Sequence, residues 1–163
     1  MWDFLAPVGF AVLIWWTSTL IVLYLDGLPA RTHRWSLLGS ALVAVAGLWA
    51  LQSTRDLTTV GAAYCAFASA IFIWGWLEMS FLTGRVTGPR TTACPPDIHG
   101  WRRWKYAIEA ILYHEIALLA VGGLVVAVTW GHANVVGAAT FTVLWVMRLS
   151  AKLNLFLGAR NPG

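Results

Sequence analysis

Five mostly apolar stretches, about 5–25, 35–51, 57–82, 106–130 and 135–157, are set apart by short polar breaks, and this spacing leaves the chain few ways to fold. Crossing about 30 Å of hydrocarbon takes about 20 consecutive apolar residues in a helix, the length of most of these runs. With 59% hydrophobic and 11% charged residues, the chain lacks the polar surface that a soluble domain needs. Eleven tryptophans suit the membrane–water interface, where an indole keeps its ring in the apolar layer and its N–H in the polar one. Strands are excluded because the runs are too long and do not alternate. The expected fold is an all-α polytopic helical bundle, one transmembrane domain over residues 1–163. The N-terminus lacks a basic n-region and a small-residue cleavage site, so its first apolar run reads as a retained helix and not a signal peptide.

Loop charge then predicts orientation. Arg31, Arg34, Arg85, Arg90, Arg102, Arg103, Lys105 and Arg160 flank one side of the runs, whereas Arg55, beside Asp56, stands alone on the other. That bias puts the N-terminus in the periplasm, the C-terminus in the cytoplasm and the loop 84–104 on the cytoplasmic side. The basic residues lie between apolar spans, so their expected neighbours are anionic lipid headgroups and not nucleic acid. The loop holds Pro89, Pro95 and Pro96 and ends in Trp101-Arg102-Arg103-Trp104-Lys105. This run reads either as an interfacial anchor touching lipid or a partner, or as an ordinary positively charged flank. Val60-Gly61-Ala62-Ala63 is echoed by Val136-Gly137-Ala138-Ala139, a match that low-complexity helices produce by chance.

Ionisable residues inside a span are costly unless paired or wet. Glu78, Glu109, His114, Glu115, Arg148 and Lys152 all fall in the cytoplasmic halves of their spans, and the two cations share one helix face. They are expected to form an intramembrane polar network in which two or three of Glu78, Glu109 and Glu115 offset Arg148 and Lys152. Such a network either fixes helix register or makes a site for an ion, headgroup, quinone or tetrapyrrole. Arg148→Leu is expected to impair accumulation more than a loop change such as Arg90→Leu.

Metal and catalytic readings find little support. His114-Glu115 lacks the second histidine of a zinc-protease helix, since residue 118 is Leu, and His33, His99 and His132 lie in separate loops. His114 is a candidate axial ligand for a pigment metal. Cys65 lies in an apolar run and Cys94 in a loop, so no disulfide is expected. No phosphate-binding glycine loop, catalytic triad or nucleophile elbow is present. A non-enzymatic role is expected.

The strings Tyr24-Leu25-Asp26-Gly27-Leu28-Pro29, Trp74-Gly75-Trp76-Leu77-Glu78-Met79, Val86-Thr87-Gly88-Pro89-Arg90, Ala110-Ile111-Leu112-Tyr113-His114-Glu115 and Ser150-Ala151-Lys152-Leu153-Asn154 are long and specific. They resemble the photosynthetic complex assembly protein PuhE family of purple bacteria, in islands along nearly the whole chain. The resemblance implies a multi-pass protein of the bacterial inner (photosynthetic, intracytoplasmic) membrane. It also implies a role beside the reaction centre and its light-harvesting subunits, encoded near the reaction-centre H subunit, with no reaction attached. Bacteriochlorophyll or a precursor, carotenoid, quinone and bound lipid are the candidate ligands, the pigments and quinone belonging to an alternative reading as a carrier. Family members continue past Asn161-Pro162-Gly163, so the chain resembles a shortened member or a piece of a longer one.

Overall fold

The computed structural model describes residues 2–90, 92, 98 and 100–157, the side chains of 2–4 and 153–157 excepted. These residues form five long helices: α1 (Trp2–Asp26), α2 (His33–Thr54), α3 (Val60–Leu82), α4 (Trp101–Thr129) and α5 (Val136–Leu157), with a 3₁₀ turn at Ala30–Thr32. The architecture is all-α. Among the described residues, four helices are long and apolar enough to cross a membrane, over Leu5–Asp26, Ala30–Thr54, Val60–Leu82 and Trp101–Thr129.

Local chemistry explains where helices begin and end. α3 starts at Val60, three residues after the apolar run does, because the Thr59 hydroxyl caps it by accepting from the Ala62 N–H at 3.2 Å. It stops at Gly84, whose φ of 72° lets the backbone turn back so that the N–H groups of Arg85 and Val86 donate to the Ser80 carbonyl. α4 begins five residues before the expected span. Nothing in Trp101–Lys105 breaks a helix, and Gly100 (φ 62°) makes the break just ahead of it. The Trp101–Lys105 run is therefore helical and not loop. At 29 residues, α4 is about 43 Å long, so part of it projects beyond a bilayer core.

α3 is the hub, packed against each of the other four helices. Its inward face is small: Ala62, Ala66, Ser69 and Ala70 are buried. Lipid chains are as apolar as leucine, so helices associate through close packing, and small residues permit it. The broadest interface is with α2, where a Cβ on Gly47 would lie 3.2 Å from the Ser69 carbonyl. Leu51, Ile73, Leu77, Leu118, Val125 and Phe141 complete the shared core. α1 leans chiefly on α3 and keeps its apolar residues outward, as a helix facing lipid should.

Two turns are clasped at one end. Buried Asn134 donates its amide to the carbonyls of Thr54 and Ala62, each at 3.2 Å, and its backbone N–H to the Arg55 carbonyl at 2.8 Å. Beside it His132 pairs with Asp56 at 2.8 Å. The α2–α3 and α4–α5 turns thus share one end of the bundle, and connectivity puts the α1–α2 turn and the α3–α4 loop at the other.

Candidate functional site

The six ionisable residues form three separate groups. On α3, Glu78 meets Arg148 of α5 at 2.8 Å, while its other oxygen lies 3.8 Å from Nε2 of His114 on α4. One carboxylate therefore pairs α3 with α5 and faces α4 at the same level without a hydrogen bond to it. The His114 ring is wholly enclosed and packs on Phe81 with centroids 4.5 Å apart. Neither of its nitrogens has a hydrogen-bond partner, nor do Oε1 of Glu78 and Nε of Arg148. A cluster of orphaned polar atoms at a helix junction is rare enough to need a reason.

The second group joins α4 to α5. Lys152 donates to Glu115 at 2.5 Å, and the Trp145 indole N–H reaches the other oxygen at 3.4 Å. Lys152 is only 10% exposed, so its charge is neutralised within the protein. Its ammonium also sits over the Phe81 ring, 5.4 Å from the centroid.

Glu109 stands apart from both. It pairs with Arg90 at 3.3 Å and with Lys105, one turn earlier, at 3.8 Å. The Arg90 guanidinium also lies 3.6 Å from the Tyr106 ring centre and bonds Thr92. Glu109 therefore anchors the α3–α4 loop to α4 and does not offset Arg148 or Lys152. The loop runs tight against the helix: the Arg90 N–H donates to the Glu109 carbonyl and the His114 N–H to the Thr87 carbonyl. Gly88 is required there, since a Cβ would overlap the carbonyls of Glu109 and Ala110. The sequence carries Arg90, Tyr106 and Gly88 in plain view, but nothing in their spacing announces this docking.

The Trp101–Lys105 run presents Trp101 outward, with Trp101 and Trp104 stacked at 6.4 Å. Of the loop histidines, His33 contacts the Asp26 and Leu28 carbonyls and so fastens the end of α1, while His99 lies outside the described residues. Cys65 is a free, half-buried thiol on α3, and Cys94 and Arg160 lie outside the described residues. Among the described residues no group of three metal-ligating side chains occurs.

A groove of about 940 Å³ runs between α1 and α5, floored by α3. Its walls are apolar, with Trp15, Phe67, Trp74 and Val143 among them, and Glu78 and Arg148 line it too. Enclosed His114 is not part of this lining, so the geometry does not present it as an axial ligand to a pigment placed there.

Fold and charge placement together define a multi-pass helical membrane protein held by interhelical ion pairs. The chain belongs to the DUF3623 family, described as a protein of unknown function, whose model matches residues 1–163. It is 37% identical over 153 residues to a Rhodobacter capsulatus protein named as an uncharacterized 30.4 kDa protein in the puhA 5′ region. That match covers 90% of this chain and 55% of the relative, so the chain spans about half of the relative's length. No solved structure matches.

Proposed function

We propose that the protein is a non-enzymatic accessory or assembly factor of the bacterial photosynthetic reaction centre–light-harvesting complex, bound to it through membrane-embedded helix faces. One observation carries this reading: the relative, alike over 90% of the chain, is named for its position beside puhA. The resemblance to the PuhE family, which is encoded near the reaction-centre H subunit, points the same way. The architecture suits the role. α1 offers a continuous apolar face on which Leu13, Trp16 and Leu20 are more than half exposed.

In this reading the N-terminus is periplasmic. Arg31, Arg34, Arg85, Arg90, Arg102, Arg103 and Lys105 gather at one end of the bundle and Arg55 lies at the other, which supports that topology. The photosynthetic inner membrane is then its location, and the Trp101–Lys105 turn faces anionic headgroups or the complex on the cytoplasmic side.

Deleting the gene and recording near-infrared absorption of whole membranes tests the reading. Reaction-centre and antenna bands should fall relative to wild type and return on complementation. Unchanged bands under several light regimes would count against it.

A further inference from the structure

The groove between α1 and α5 has the dimensions and chemistry of a ligand site. Its volume, about 940 Å³, lies at the upper end of the roughly 300–1,000 Å³ usual for small-molecule pockets. From Val135 to Arg148 it follows α5 for about 20 Å. That length and the apolar walls suit a slim, extended apolar chain.

Polarity is confined largely to one end. Arg148 is 35% exposed and Glu78 14%, and both line the groove. A guanidinium has five N–H donors, and its acidic partner among the described residues is Glu78. Donors on the Nη nitrogens thus remain for a ligand oxygen, while Nε of Arg148 and the unpaired Oε1 of Glu78 are themselves buried. Because the pair is neutral as a unit, an anionic phosphate gains little from Arg148 that Glu78 does not take back. A neutral head with carbonyl or hydroxyl oxygens meets no such penalty.

We propose that this groove binds a neutral, single-tailed amphiphile of the prenylquinone or quinol class, with its oxygens at Glu78–Arg148 and its tail along α1 and α5. Trp15 and Trp74 form part of the wall and would lie against the bound molecule. The inference stands apart from the assembly role and does not rest on it.

The test uses the purified full chain in detergent, with decylubiquinone as the probe and tryptophan fluorescence as the readout. Saturable quenching is expected from the native protein, with phosphatidylglycerol failing to compete. Ala139→Phe narrows the groove while leaving the ion pair in place, and Arg148→Gln removes the head contact while keeping a donor. Each should weaken binding about tenfold or more. Should Arg148→Gln fail to fold, Ala139→Phe with Thr140→Leu decides the matter alone. Non-saturable quenching, equal binding by the groove variants, or displacement by phosphatidylglycerol would overturn the proposal.

Discussion

Replacing Glu78 by leucine would strand the Arg148 guanidinium between α3 and α5, 2.8 Å from where its partner had been. An arginine at the centre of a membrane helix costs about 2.5–3.5 kcal/mol on insertion scales. Arg148 is about one-third exposed, so part of that cost is already relieved, and about 2 kcal/mol is expected for Glu78→Leu. Arg148→Leu should cost less, about 1 kcal/mol, since a stranded carboxylate can shed its charge by binding a proton whereas a guanidinium cannot. The double replacement removes both charges and should cost less than the two singles together, with a coupling of about 1–2 kcal/mol. Detergent-induced unfolding in mixed micelles, followed by far-ultraviolet circular dichroism, gives all four corners of the cycle. Additivity within about 0.3–0.5 kcal/mol would refute the claim that this pair links the helices.

Other expectations follow from the same contacts. Asn134→Ala removes the clasp between two turns and should destabilise by about 1–3 kcal/mol in the same assay. Gly88→Ala cannot be accommodated without lifting the loop from α4, so limited proteolysis should cut between residues 84 and 100 faster than in the native protein. His114→Phe keeps the packing on Phe81 and deletes two orphaned nitrogens, so stability should hold or rise. A loss above about 1 kcal/mol would show that the imidazole is bonded after all. Arg148→Leu should lower accumulation in membranes more than Arg85→Leu, an exposed loop position, and equal levels on immunoblots would contradict that.

The structural part that Arg90 plays is not legible in the sequence. As a loop residue beside proline, Arg90 looks like an inert control, yet it is bonded to Glu109, stacked on Tyr106 and half-buried. The five helices were legible because a bilayer demands long apolar runs, and their charge bias because loops alone carry most of the cations. That Arg148 and Lys152 need acidic partners was legible too, from the cost of an unpaired intramembrane cation. Which acid serves which cation was not. Glu78, Glu109 and Glu115 fall in corresponding halves of their spans, and only the rotation of α4 decides that Glu115 meets Lys152 while Glu109 turns toward Arg90. Helix rotation depends on how small residues interlock, and apolar sequences encode that weakly. The early start of α4 was hidden for a related reason: charged Trp101–Lys105 reads as loop by hydropathy, although its helix propensity is good. The groove was invisible because it arises from α1 and α5 standing apart over α3, a property of tertiary spacing.

The proposed role turns on association with the photosynthetic complex. Its most direct test is the near-infrared spectrum of the tagged protein, crosslinked in photosynthetically grown membranes before gentle solubilisation and captured by the tag. Reaction-centre and antenna bands in the captured fraction, lost when the tag is absent, are the predicted result. A captured protein with no such bands, or with a free-pigment band alone, would contradict the claim.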